Sequence, residues 1–276
     1  MHLDSHQHFW HYNDKEFSWI GENMSVLKID FLPPDLWKEL QTAGFDGSIA
    51  VQARQTLEET AWLLDLASQN SFIKGVVGWV DLCSPEIEKQ LDEFSRNQKL
   101  VGVRHVVHDE PDDKFMARKD FQYGISLLAK YGLTYDLLLF PKHLPLATEL
   151  VMLFPNQKFV IDHIAKPLIK DQIHEPWDKF MKQLAKSPNV YCKLSGMVTE
   201  ADWKNWKPDD FKYYLDTVFH CFGEDRLMMG SDWPVCTVAG NYKKVMSLVF
   251  DYLQQFGKET LIKISGENCR KFYQEK

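Results

Sequence analysis

The chain has 276 residues, enough to bury a large core and well suited to one α/β domain. Its 32 basic residues are outnumbered by 39 acidic ones, giving −7 with no Lys/Arg run, which argues against a nucleic-acid partner. The opening MHLDSHQHFW lacks the order of a signal peptide, no uncharged apolar stretch reaches about 18 residues, and five scattered cysteines form no C-x-x-C pair; a cytoplasmic protein with reduced thiols and no membrane partner is expected.

The first strand candidate, Leu3–His8, carries a His-x-His pair. Period-2 alternation places Asp4, His6 and His8 on one face and Leu3, Ser5 and Gln7 on the other, with the two imidazoles about 6.6 Å apart along the backbone. Two such rings can converge on a metal ion or a substrate oxygen, or can equally be a hydrogen-bonded core pair. From Phe9 to Pro34 runs a connection of 26 residues rich in aromatics (Phe9, Trp10, His11, Tyr12, Phe17, Trp19, Phe31). Connections this long are usually lids or binding loops.

Further strands are expected at Gly47–Gln52, Ile73–Leu82, Leu100–Val107, Thr134–Phe140, Lys158–Ala165, Val190–Gly196 and Arg226–Trp233. Between them Thr56-Leu57-Glu58-Glu59 reads as a capping box and Pro85 as a helix start. Val245, Leu248, Val249, Tyr252, Leu253 and Phe256 follow helical spacing. Gly132, Gly223 and Gly257 sit where helix C-caps are expected. Eight strands alternating with eight helices predict a (β/α)8 TIM barrel, here a single domain spanning residues 1–276. A doubly wound sheet fits less well, because no glycine-rich turn follows the first strand.

Active sites of such barrels lie at the C-terminal ends of the strands. There the sequence places His6 and His8 (strand one), Arg104 and His105 (four), Asp162, His163 and Lys166 (six), Lys193 and Ser195 (seven) and Asp232 (eight). Charged groups on apolar strands are costly unless paired or functional. His6, His8, His163 and Asp232 make a nitrogen/oxygen set suited to zinc or another divalent ion, and a water facing Asp232 could be deprotonated and delivered to a carbonyl. Arg104 could orient a carbonyl or carboxylate. Candidates for substrate contact are Trp10, His105, Lys193 and Trp233; Lys193 is equally suited to an interior salt bridge with Asp162 or Asp4. Asp162 is expected to orient a neighbour, and Ser195 to hydrogen-bond rather than attack.

His6-x-His8, His163 and the Asp232 of GSDWP, with VGVRHVVHDEPD (101–112), IDHIAKP (161–167), CKLSGMVTEADW (192–203) and RLMMGSDWPVC (226–236), resemble the amidohydrolase superfamily along essentially the whole chain. The likeness is to its amidohydrolase-related branch, which includes sugar-acid lactonases. It implies hydrolysis of an aldonolactone such as L-fucono-, L-rhamnono- or galactonolactone. Asp232 would be general base, His163 and Arg104 its catalytic companions, and His6, His8, His163 and Asp232 the metal ligands. Strand five lacks the histidine of binuclear members, so one divalent ion, zinc by preference, or none is expected. The alternatives are a decarboxylase of an aromatic or unsaturated acid, and a non-catalytic carbohydrate-binding barrel. The lid aromatics and the loop near His105, His108 and Asp109 are expected to set stereochemical preference. The sequence leaves monomer and homodimer open.

Overall fold

In the computed structural model, which describes residues 1–274, eight parallel strands succeed one another in chain order. They are β1 (Leu3–Gln7), β2 (Gly47–Val51), β3 (Ile73–Gly78), β4 (Leu100–His105), β5 (Thr134–Leu137), β6 (Phe159–Ile161), β7 (Val190–Leu194) and β8 (Leu227–Met229). The ring closes just past β8. A parallel bridge joins Gln7 to Trp233, with His8 N donating to Trp233 O at 2.7 Å and Asp232 N to His6 O at 2.8 Å. Each strand leads into a helix: α1 (Pro33–Ala43), α2 (Leu57–Gln69), α3 (Ile87–Phe94), α4 (Lys119–Leu128), α5 (Leu144–Leu153), α6 (Trp177–Leu184), α7 (Asp209–Phe222) and α8 (Tyr242–Leu253). The expected (β/α)8 barrel is observed. No helix among the described residues is long and apolar enough to cross a membrane.

Parallel strands covered by helices are buried on both faces, which is why these runs are aliphatic throughout. Inside the barrel, Leu3, Ile49, Val51, Val77, Val101, Val160 and Met228 form one core. Two further helices, α9 (Lys258–Ile262) and α10 (Asn268–Gln274), lie outside the eightfold alternation. The second inserts Cys269, Phe272 and Tyr273 against that core. The strands are shorter than expected at their C-terminal ends; β8 stops at Met229 rather than Trp233, because there the chain turns to present side chains. Thr56 caps α2 by accepting from Glu59 N at 3.1 Å. The capping box is only half formed, since Glu59 instead accepts from Ala53 N (3.0 Å) and Arg54 N (2.7 Å). Helix α3 begins at Ile87, two residues past Pro85.

The loop after β1 folds back on itself as a lid. Trp10 and Phe31 exchange backbone hydrogen bonds at 3.0 and 2.9 Å, and Phe17, Ile20 and Leu27 are buried beneath them. Arg54, after β2, bridges lid and barrel through Glu16 (2.5 Å) and Glu59 (3.3 Å).

Candidate active site

A register irregularity in β1 sets the site. Asp4 and Gln7 pair with Ser48 and Ala50, so three steps of β1 span two of β2. The extra residue reverses the face on which the later side chains of β1 emerge. Asp4 therefore does not share a face with His6 and His8, as plain alternation predicted. It turns to the helix layer and accepts from Ser231 N (2.9 Å), Ser231 Oγ (2.6 Å) and Tyr242 OH (3.0 Å). His6 and His8 project into the barrel, their Nε2 atoms 3.2 Å apart. His8 Nδ1 donates to Val51 O at 2.8 Å, which leaves the lone pair on Nε2. Asp232, in a left-handed conformation (φ 57°), brings Oδ1 to 3.3 Å from His8 Nε2 and 3.8 Å from His6 Nε2.

His163 arrives on an unusual turn. After β6, His163, Ile164, Ala165 and Lys166 all have positive φ (53°, 47°, 59° and 48°). Left-handed L-residues cost roughly 1–2 kcal/mol each, and a β-branched Ile is a genuine outlier there. The turn is held by Lys166 N to His163 O (2.8 Å) and by Trp177 Nε1 to Ile164 O (2.6 Å). His163 Nδ1 meets Ser195 Oγ at 2.9 Å, and Nε2 lies 3.7 Å from Asp232 Oδ1. Gly196 makes room for this ring, since a Cβ there would stand 2.3 Å from His163 Nδ1.

Beneath the histidines lies a buried ionic network. Lys193 Nζ contacts Asp136 (2.5 Å), Asp162 (2.9 Å) and His6 Nδ1 (3.1 Å), and Tyr273 OH donates to Asp136 at 2.7 Å. Arg104 Nη1 reaches Asp162 at 3.1 Å and His6 Nε2 at 3.2 Å, while Nη2 is held by the Gln52 backbone oxygen and by Gln52 Oε1 (3.3 Å). Four of the five guanidinium N–H bonds thus point at protein; Nε alone has no partner. Sequence reasoning passed over Asp136, Gln52, Gly196 and Tyr273. An acid inside the apolar run TYDLLLF was a usable signal for Asp136; nothing local marks the other three.

A cavity of about 180 Å³ opens above this floor. His8, Arg104, His163 and Asp232 line its base, Trp10 and Trp19 of the lid line one side, and His108, Asp109 and Lys166 line another. Three expected contacts are elsewhere. His105 is the outward neighbour of inward Arg104; it accepts from Trp79 Nε1 (3.2 Å), meets Glu110 (2.6 Å) and stacks on Phe115. Lys193 is fully buried below His6, paired with Asp136 and Asp162 and not with Asp4. Trp233 packs against Phe9 and Phe31 behind the lid.

Burial holds the His6 and His163 imidazoles well below the usual histidine range, so both are neutral. Burial opposes ionisation of Asp232, but His163, the His8 hydrogen bond and Lys166 outweigh it and hold the carboxyl below its usual range. Asp162 is likewise anionic, its burial outweighed by Lys193, His6 and Arg104.

Two groups are compact enough for a metal ion: His6–His8–Asp232 and His6–Asp162–His163. In the second, Asp162 is already held by two cations. In the first, with His6 Nδ1–H directed at Asp162 Oδ1 (3.3 Å), three acceptor atoms converge at 3.2, 3.3 and 3.8 Å with no proton donor of their own between them. Donors about 2.0–2.1 Å from a tetrahedral ion stand roughly 3.3 Å apart, so this trio fits a divalent metal, provided Arg104 Nη1 yields the His6 lone pair and keeps Asp162. His163 stands at the edge of the trio. On β5 the inward residue is Asp136, and Lys193 neutralises it.

Comparison with known proteins agrees with this fold. The amidohydrolase family model matches residues 3–274. An L-fucono-1,5-lactonase from Burkholderia multivorans is 40% identical over 259 residues, covering 90% of this chain and 87% of that protein. One from Burkholderia ambifaria is 37% identical, covering 87% and 82%. The crystal structure of a zinc-bound amidohydrolase from Burkholderia multivorans superposes with a TM-score of 0.95 at 38% identity, covering 99% of both chains. The family model covers the barrel from Leu3 onward, and this chain belongs to the amidohydrolases.

Proposed function

We propose that this protein is a hydrolase that opens a sugar-acid lactone, with an L-fucono-1,5-lactone-like aldonolactone as the substrate class. The observation that carries this reading is the meeting of an ionised Asp232 with His8 and neutral His163 at the base of a cavity with a polar group of side chains on one side. The names of the Burkholderia relatives support the substrate class. A decarboxylase pocket with a free carboxylate-binding arginine fits less well, because Arg104 is already neutralised by Asp162.

In this reading Asp232 accepts a proton as water oxygen bonds to the lactone carbonyl carbon. The ring C–O bond then breaks, and the departing ring oxygen takes the proton back from Asp232, leaving an open hydroxy acid. With Ser195 donating to its Nδ1, His163 presents Nε2–H to the developing oxyanion as a neutral donor. Arg104 contributes positive charge and holds His6 and Asp162 in place, with Nε–H its one uncommitted donor. A carboxylate held below its usual range is a weak base, which suits an ester better than an amide. A divalent ion on His6, His8 and Asp232, zinc by the nature of these donors, would supply Lewis-acid polarisation and a more acidic water. The five thiols, three of them buried and none paired, support a cytoplasmic setting.

Acid release in a weakly buffered indicator assay, across aldono-1,4- and 1,5-lactones, tests the proposal. Wild type should turn over at least one stereochemical group, and Asp232→Asn should lose about 10²–10⁴-fold, the usual worth of a general base. No wild-type rate above that of the variant on any lactone would sink the reading.

A further inference from the structure

The cavity is two-sided. Loops after β8, β1 and β2 supply Val235, Trp10, Trp19 and Ala53, an apolar and aromatic wall. Loops after β4, β5 and β6 supply the polar His108, Asp109 and Lys166 together with the apolar Val106 and Leu138, and none of these belongs to the trio of His6, His8 and Asp232. These three polar groups form one cluster. The His108 ring stacks on Phe140 with centroids 4.6 Å apart, and Lys166 Nζ sits 5.9 Å from the centroid of the same ring. Asp109 Oδ1 lies 3.3 Å from His108 Nε2, and His108 Nδ1 has no partner in the protein.

Lys166 is delivered by the left-handed turn that also delivers His163. Backbone strain of that kind persists where the surrounding structure enforces it, and it gathers at functional sites. Ile164 and Ala165 are buried spacers, while the residues at either end of the turn reach the cavity. Glu200 fixes the ammonium at 2.6 Å. That contact occupies one of three N–H donors. Two donors on Lys166 and the carboxylate of Asp109, braced by His108 Nε2, remain for a ligand.

We propose that Lys166, flanked by Asp109 and His108, reads the hydroxyl configuration of the substrate, while the hydroxyl-poor face of the sugar ring lies on Trp10 and Trp19. This rests on the lactone reading above. Lys166 donates to one or two ring hydroxyls; Asp109, held by His108, accepts from a neighbouring one. A sugar ring with one C–H-rich face and one hydroxyl-rich edge matches both walls at once. Lys166 is thus a substrate-positioning residue that takes no part in proton transfer.

The test is steady-state kinetics of wild type, Lys166→Met and Lys166→Arg on aldonolactones epimeric at single ring carbons, and on δ-valerolactone, which carries no hydroxyl. For Lys166→Met, kcat/KM on the best epimer should fall roughly 10- to 100-fold, the worth of a hydrogen bond to a charged group, chiefly through KM. That loss should exceed the loss on δ-valerolactone at least tenfold, the preference among epimers should narrow, and Lys166→Arg should recover part of it. Wild-type enzyme on lactones lacking one ring hydroxyl should show the same loss without altering the protein, which guards against a poorly folded variant. Equal losses on hydroxylated and plain lactones, no loss at all, or deoxy lactones turned over as fast as their parents would overturn the proposal while leaving the hydrolase intact. Wild type inactive on every lactone, δ-valerolactone included, would instead overturn the hydrolase reading and this wall with it.

Discussion

Gly196→Ala is the most informative single change outside the ionisable groups. The residue sits at φ 58°, and a methyl group there would stand 2.3 Å from His163 Nδ1, 2.6 Å from Cγ and 3.0 Å from Cε1. Ordinary contact begins at 3.4 Å, so the imidazole must retreat by 3.4 − 2.3 = 1.1 Å. That movement breaks its hydrogen bond to Ser195 Oγ. The backbone cost of alanine in this conformation is roughly 1–2 kcal/mol, and the buried hydrogen bond adds about 1 kcal/mol. Gly44→Ala is the matched control: it too is left-handed (φ 78°), but nothing lies within 4 Å of its added methyl. Thermal unfolding should therefore drop by a few degrees for Gly44→Ala and by roughly twice that for Gly196→Ala. Activity should separate the two far more sharply. A 1 Å misplacement of a reacting group costs about 10²-fold, so Gly196→Ala should lose that much kcat while Gly44→Ala keeps wild-type turnover. Gly196→Ala with wild-type kcat would show that the position of His163 does not matter to the chemistry.

Metal binding is readable without any activity. Zinc should raise the unfolding temperature of wild type, by the equivalent of about 2.7 kcal/mol at a hundredfold excess over its dissociation constant, and His8→Ala should abolish most of the shift; equal shifts in both would place the ion elsewhere. The pH dependence of stability should reveal Glu59, whose carboxyl is pushed up to about 7 by burial, against 4.5 unperturbed. The native state then holds a proton that the unfolded chain has released, so this group's contribution is intact below about pH 4.5 and is lost as pH rises through 7, an order of 3 kcal/mol. Glu59→Gln should flatten the stability profile over that window, as read by urea unfolding at several pH values; an unchanged slope would refute the assignment.

Both the barrel and the strand-end placement of most candidate residues were legible in the sequence, because aliphatic runs at regular spacing and polar groups at strand ends are physical signatures of parallel strands with a common end. What failed was parity. Alternation holds only while register holds, and the extra residue between Asp4 and Gln7 moved Asp4 to the outer layer while leaving His6 and His8 inside. No residue type in LDSHQ announces that irregularity. On β4 register against β5 is regular from Gly102 to His105, so an inward Arg104 obliges His105 to face outward, and the sequence contained that answer. Lys193 shows a third limit. Its strand position is right, but whether a buried lysine reaches substrate or sinks into the core depends on acids from other strands, here Asp136 and Asp162, which converge only once the barrel closes. The left-handed turn at His163–Lys166 is least legible of all, since its sequence, His-Ile-Ala-Lys, has no glycine or asparagine to advertise positive φ. A conformation that local preference opposes must be imposed by tertiary packing, by Trp177 against Ile164 and by Glu200 on Lys166. Such a turn survives only if something depends on where its two ends point, which is why His163 and Lys166, rather than the better-paired Arg104, are the residues on which the chemistry and selectivity of this cavity should be tested first.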